Sequence, residues 1–262
     1  MARSAPVTSY AAGAPAWVDL ATPDPEAAKL FYGALFGWQF SVGPADTGNY
    51  TMCRGQGLLV AGMQGQPAPP GEPHAWTVHL ASEDVGVTAE RITAAGGTVL
   101  MGPRDVLEEG RMVLAADPAG ARFGVWEAGS FAGAELVGIP GAVTWSELST
   151  TDLDAATAFY GSVFDHAWEL VDTGRDGPRY ATLTVAGEPV AGVLEMMASW
   201  PQMAPQWSPY FAVADLDAAT ESVRRLGGRV LFGPTEIAVG RFANIVDPQG
   251  VAFTIVTPPS QG

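Results

Sequence analysis

The segment GAPAWVDLATPDPEAAKLFYGALFGW, from Gly13 to Trp38, returns as GAVTWSELSTTDLDAATAFYGSVFDH, from Gly141 to His166. At a constant offset of 128 residues, Trp17 meets Trp145, Asp19 meets Glu147, Thr22 meets Thr150 and Asp24 meets Asp152. Phe31-Tyr32-Gly33 likewise meets Phe159-Tyr160-Gly161. So many identities in one register do not arise by chance, and the chain reads as a tandem duplication. The match continues downstream with small indels. Trp76 pairs with Trp207, Asp84-Val85 with Asp215-Leu216, and Gly96-Gly97 with Gly227-Gly228. Gly102-Pro103 pairs with Gly233-Pro234, and Asp117-Pro118-x-Gly120 with Asp247-Pro248-x-Gly250.

The repeat bounds the fold. A chain of 262 residues holds two copies, each large enough for its own core. The expected division is a flexible N-terminal tail over 1–12, a first domain over 13–128, a linker over 129–140 and a second domain over 141–259. No apolar run is long enough for a membrane helix, and Met1 to Ala12 lacks the apolar stretch of a secretory signal. Cys53 is the one cysteine, so no intramolecular disulfide can form, and a cytoplasmic location is expected. A formal charge of −15 argues against a nucleic-acid partner, which needs a basic face.

Each copy repeats one pattern twice. Ala16–Ala21 reads as a strand, Thr22 or Asp24 as the cap of a helix running to Phe36, and Gly37 as its stop. Trp38–Val42, Tyr50–Arg54 and Leu58–Met63 read as three short strands. After the Pro/Gly-rich segment Gln64–Pro73 the pattern restarts with a strand over Ala75–Ala81 and a helix over Glu83–Ala95. Strands at Thr98–Met101, Arg111–Ala116 and Arg122–Glu127 follow, the last two joined by a turn at Asp117-Pro118-Ala119-Gly120. The second copy gives units over 144–196 and 208–256. The chain therefore holds four β-α-β-β-β units, an α+β fold class.

Paired units of this kind resemble the vicinal oxygen chelate superfamily, which includes glyoxalase I, the bleomycin-resistance proteins and the extradiol dioxygenases. The matching pieces are Asp24 with Phe31-Tyr32, Asp152 with Phe159-Tyr160, the two D-[VL]…G-G helices and the two D-P-x-G turns. The resemblance implies two domains with curved, mostly antiparallel sheets, and in metal-dependent members a divalent cation on the concave face. Its ligand positions fall on Trp17, Thr77, Gly124 and a site near Met63 in the first copy. In the second they fall on Trp145, Ser208, Thr254 and a site near Val193. These are poor ligands for such a cation. No metal and no cofactor are expected, which counts against glyoxalase I or dioxygenase chemistry.

Strand side chains alternate, so residues two apart share a face. That projects Trp17, Asp19, Thr77, His79, Arg122 and Trp126 together in the first copy, and Trp145, Glu147, Ser208, Tyr210 and Thr254 in the second. Aromatic walls with few polar groups are the usual make-up of a small-molecule pocket. Asp19 and His79 are the candidate catalytic residues, a carboxylate orienting an imidazole as general base; an ordinary structural histidine is the competing reading. Trp17 and Trp145 either stack on a planar ligand or plug the vacated metal position. Trp76 and Trp207, one residue off, are expected in the core, His74 and His166 on the surface, and Cys53 in a strand without a catalytic role.

The expected function is metal-independent binding or sequestration of a small molecule, an aromatic metabolite or antibiotic, as in the bleomycin-resistance branch. The alternative is a lyase, isomerase or cyclase using Asp19 and His79, followed by a metal-dependent lactoylglutathione-lyase-like or dioxygenase enzyme. The expected partner is the small molecule, with neither nucleic acid nor membrane, and the chain is expected as a monomer or homodimer.

Overall fold

The computed structural model describes residues 6–65, 74–175, 177–185, 187–200, 203–237 and 240–257. Most of the Pro/Gly segment expected over Gln64–Pro73, the first five residues of the expected tail and the end of the second domain lie outside the described residues. The first half contains β1 (Pro15–Thr22), α1 (Pro25–Phe36), β2 (Gln39–Val42), β3 (Thr51–Gly55) and β4 (Leu58–Gly65). It continues with β5 (Trp76–Ser82), α2 (Val85–Ala94), β6 (Thr98–Val106), β7 (Gly110–Ala116) and β8 (Arg122–Ala128). The second half repeats the order: β9 (Val143–Thr150), α3 (Leu153–Phe164), β10 (Trp168–Val171), β11 (Tyr180–Val185) and β12 (Glu188–Glu195). It ends with β13 (Gln206–Ala212), α4 (Leu216–Arg225), β14 (Arg229–Ile237), β15 (Gly240–Val246) and β16 (Ala252–Thr257).

Each half forms one eight-stranded mixed sheet, in the order β2-β3-β4-β1-β5-β8-β7-β6 and its repeat β10-β11-β12-β9-β13-β16-β15-β14. The two units of a half join where their opening strands pair antiparallel, β1 with β5 and β9 with β13. Each opening strand also pairs parallel with the last strand of its own unit. The two units of one half therefore face each other across the β1–β5 or β9–β13 pair.

The repeated aspartates have a local cause. Asp24, Asp84, Asp152 and Asp215 are the N-caps of the described helices, the first two accepting two backbone N–H groups of the first turn and the last two accepting one. Such a cap contributes roughly 1 kcal/mol over alanine. Gly37 ends α1 in the left-handed region at φ 72°, a conformation that glycine adopts without steric cost.

The other repeated motifs meet across the two halves. Tyr32 of α1 donates its hydroxyl hydrogen to Asp247 at 3.0 Å, and Tyr160 of α3 donates to Asp117 at 3.3 Å. Each phenol also receives an indole N–H, from Trp76 at 3.2 Å and from Trp207 at 2.8 Å. Asp117 and Asp247 spend their other oxygen on the N–H groups of their own D-P-x-G turns. Phe159 lies against Gly97 and Phe31 against Gly228, so close that a Cβ there would stand 2.9 Å and 3.1 Å from the rings. The F-Y pair, the second glycine of G-G and the D-P-x-G turn therefore build one reciprocal joint. One apolar cluster runs through it, with Trp76, Trp207, Phe123, Phe211 and Phe253 all buried. Trp76 and Trp207 sit in this core as expected from their place in the strand.

Candidate functional site

The opposite face of each sheet, free of helices, carries the candidate residues. In β1, Trp17 and Asp19 point to this face, and their cross-strand partners in β5 are His79 and Thr77. His79 pairs onward with Gly124 of β8. The structure brings Asp19 and His79 together, with Asp19 Oδ2 3.2 Å from His79 Nε2. Neither ring nitrogen of the buried His79 makes a hydrogen bond among the described residues. His79 is accommodated by Gly124, where a Cβ would overlap its Nδ1.

A tyrosine completes the group. Trp17 Nε1 donates to the Tyr50 hydroxyl at 2.8 Å, and that hydroxyl donates to Asp19 Oδ2 at 3.2 Å. The second half repeats the arrangement. Trp145 Nε1 donates to Tyr180 at 3.0 Å, and Tyr180 donates to Glu147 Oε2 at 3.0 Å. Tyr210, in the place of His79, donates to the other carboxylate oxygen at 2.6 Å. Burial, and next the adjacent carboxylate, push the phenols of Tyr50, Tyr180 and Tyr210 above their ordinary values. They remain protonated donors at neutral pH.

Tyr50 and Tyr180 were not among the residues singled out by sequence. The signal was available: Tyr50 immediately precedes and Tyr180 opens the third strand of its first unit, and Gly62 and Gly192 recur with them. Each glycine lies on the helix-free face beside the carboxylate strand, paired with Asp19 and Glu147. A Cβ at either position would overlap the phenol oxygen. The fourth position of that face, expected near Met63 and Val193, falls one residue before each of them. Both are wholly buried in the core, and the alternation of the strand puts Gly62 and Gly192 there instead.

Of the remaining candidates, Thr77 and Ser208 pair across strands with Asp19 and Glu147, and Thr254 with Tyr210. Trp126 is buried on the same face as Gly124, two residues away. Arg122 is exposed at the start of β8, Thr77 and Ser208 are half-buried, and Thr254 is buried and donates to Asn244 Oδ1 at 3.0 Å. His166, expected at the surface, is half-buried and hydrogen-bonded to the Ala12 carbonyl. Residues 6–12, expected as tail, lie along the chain: Val7 N–H bonds the Glu135 carbonyl at 2.9 Å and Tyr10 the Ala134 carbonyl at 2.6 Å. Cys53 is buried, and that burial pushes its thiol up, which leaves it an inert strand residue.

A divalent cation does not fit these residues. The first half offers one carboxylate and one imidazole, and the second a single carboxylate already held by two phenols. Among the described residues, no group of three His, Cys, Asp or Glu could hold a metal ion, whereas protein sites use three or more such ligands.

Glu147 carries a pH signature. Burial raises its pKa above the ordinary carboxylate value, opposed by the donors Tyr210 and Tyr180. Between the unfolded value of about 4.3 and the raised folded value, the folded state keeps a proton that the unfolded state has lost. The resulting contribution to stability is complete below about pH 4.3 and falls as pH rises through the folded value. Thermal unfolding of Glu147→Gln across pH 4 to 8 is therefore expected to lack part of the decline that the unaltered protein shows on the alkaline side. Parallel profiles for the two proteins would refute the assignment.

The sequence matches the model of the Glyoxalase/Bleomycin resistance protein/Dioxygenase superfamily twice, over residues 14–125 and 142–255. It is 39% identical over 264 residues to the anthracycline biosynthesis protein DauV of Streptomyces sp. (strain C5), covering 95% of each chain. It is 37% identical over 259 residues to CFP32 of Mycobacterium tuberculosis (strain CDC 1551 / Oshkosh), provisionally named a glyoxylase, covering 97% of this chain and 98% of that one. Among solved structures, the Mn(II)-bound glyoxalase from Novosphingobium aromaticivorans superposes with a TM-score of 0.64 at 17% identity, covering 94% of this chain and 82% of that one. The 2,3-dioxygenase LapB from Pseudomonas sp. KL28 gives 0.63 at 14% identity, covering 95% and 93%. At these identities the structural likeness speaks for the fold alone.

Proposed function

This chain belongs to the Glyoxalase/Bleomycin resistance protein/Dioxygenase superfamily, and we propose that within it the protein holds a planar, largely apolar small molecule without a metal ion. The observation that carries this reading is the indole–phenol–carboxylate relay repeated on both helix-free faces. In each half a tyrosine hydroxyl, seated on a glycine, stands beside the positions from which the family's metal ligands would converge. What remains around it is aromatic wall with a few fixed polar groups, the composition of a small-molecule site. The relatives named for anthracycline biosynthesis support a fused-ring aromatic ligand. No described helix is long and apolar enough to cross a membrane. A ligand held in this way, without conversion, is sequestered.

The test is equilibrium dialysis of the full chain against 1,4-dihydroxyanthraquinone with and without a chelator. Binding unchanged by the chelator is the expected result, and binding that disappears with it removes the metal-free reading. Asp19→Asn and His79→Ala are expected to shift affinity by no more than about tenfold, the equivalent of one hydrogen bond.

A second reading has one observation in its favour. His79 is buried beside Asp19 with neither nitrogen hydrogen-bonded among the described residues, an arrangement that suits proton transfer to a bound molecule. On that reading the protein is a lyase, isomerase or cyclase. Recovery of a converted ligand from the unaltered protein, together with its unchanged recovery from both variants, would put this reading in place of the first.

A further inference from the structure

The two helix-free faces differ, and the cause lies in the segment between the repeats. After β8 the linker returns across the first face and lays Phe131 against two tryptophans. Its ring centroid is 4.8 Å from that of Trp17 and 5.8 Å from that of Trp126, both in edge-to-face geometry. Trp126 Nε1 donates to the Phe131 carbonyl at 2.9 Å. The next residues continue along the sheet: Ala134 N–H bonds the Ala16 carbonyl and Glu135 N–H the Leu59 carbonyl, each at 2.8 Å. Trp17 is left 5% exposed, packed with Leu59 and Ala134. The protein has thus placed an aromatic ring of its own on the first face.

The second face has no such cover among the described residues. Trp145 keeps its indole hydrogen bond to Tyr180, yet it is only half-buried and meets no described ring. The neighbouring residues have changed in one direction. Trp126 is replaced by Val256, which removes an indole, and Leu114 by Asn244. Gly124 is replaced by Thr254, and Met112 and Met101 by Phe242 and Phe232. Strand register sets Phe232, Asn244, Thr254, Tyr210 and Trp145 in one row across the sheet. Phe232 is 55% exposed and tilts against Phe242 at 5.9 Å. One end of the row is thus a half-open indole, the other an exposed Phe232 resting on a half-buried Phe242, and hydroxyls and an amide lie between.

We infer that the second face is the one that holds the ligand: a neutral, planar aromatic molecule bearing hydroxyl or carbonyl groups. This inference rests on the reading that the protein holds a small molecule. The ligand ring takes the place against Trp145 that Phe131 takes against Trp17. Its polar edge lies toward Tyr210, Thr254 and Asn244, whose Oδ1 is occupied by Thr254 and whose amide N–H groups therefore serve the ligand. Carboxylate or phosphate ligands are disfavoured, because the buried Glu147 is held by phenols rather than by a cation and the chain carries a charge of −15.

The experiment is titration of the full chain with 1,4-dihydroxyanthraquinone, read by calorimetry for both affinity and stoichiometry. One molecule per chain is expected. Trp145→Ala should weaken binding at least thirtyfold, and Asn244→Leu, which installs the first-face residue at a half-buried position, about tenfold. The second variant keeps the test valid should the first fail to fold. Phe131→Ala should uncover the first face and raise the stoichiometry to two. Binding untouched in both Trp145→Ala and Asn244→Leu, or lost in Phe131→Ala, overturns the assignment to the second face. Absence of binding by the unaltered protein overturns the ligand-holding reading itself.

Discussion

Tyr32→Phe combined with Tyr160→Phe is expected to lower the unfolding free energy by about 2–6 kcal/mol, with each single substitution giving about half. Each hydroxyl is wholly buried and does two jobs. It accepts the N–H of a buried tryptophan and donates to a carboxylate in the other half of the chain. Removing it leaves an indole N–H and a carboxylate oxygen short of a partner in the interior, together a penalty of roughly 1–3 kcal/mol per site. Partial relaxation sets the lower bound. The two sites use different residues, so the effects should add. Urea unfolding followed by circular dichroism measures the quantity directly. A double variant within about 0.5 kcal/mol of the unaltered protein would mean that the joint is held by its apolar contacts alone. The transition should stay single, because one apolar cluster spans both halves.

Gly62→Ala and Gly192→Ala are expected to cost roughly 2–4 kcal/mol each, a large effect for one added methyl group. The new carbon would overlap the phenol oxygen of Tyr50 or Tyr180. The strand backbone is held by pairing on both sides, so the tyrosine must leave. Overpacking of this kind costs about 1–3 kcal/mol, and the loss of the phenol strands the tryptophan N–H as well. Thermal unfolding of each variant checks the size. Gly192→Ala should also abolish the binding of 1,4-dihydroxyanthraquinone, because Trp145 loses the partner that orients it. Retention of both stability and binding would show that the tyrosine is not fixed by its glycine.

The architecture was legible because its determinants are local and occur more than once. The cap of the first helix, the glycines after the helices and the D-P-x-G turns each declare a boundary in a few residues, whereas the helix expected from Glu83 starts at Val85 behind its cap Asp84. Duplication made every such signal visible twice. Strand alternation likewise put Asp19 and His79 on one face, and the pairing of β1 with β5 brings them to 3.2 Å. What the repeats did not reveal was the purpose of the F-Y and G-G pairs. These act between the halves, and sequence order carries no information on which half a side chain will reach. The aromatic relay was missed for a related reason. Tyr50 lies two strands away from Trp17, and β4 must insert between them before the hydroxyl can cross Gly62. Phe131 belongs to the linker between the two copies, outside the repeated pattern.

The reciprocal joint has a consequence for how such a chain can change. Two identical units meeting through the same tyrosine–aspartate contact would make a symmetric homodimer, and any substitution in it would occur twice. With both units on one polypeptide, that symmetry survives in the interface while selection acts on each copy separately. The contacts of Tyr32 with Asp247 and of Tyr160 with Asp117 have stayed in step. The outer faces have not: histidine stands opposite tyrosine, glycine opposite threonine, leucine opposite asparagine. A single polypeptide thus leaves either outer face free to change while the other half remains its permanently docked partner.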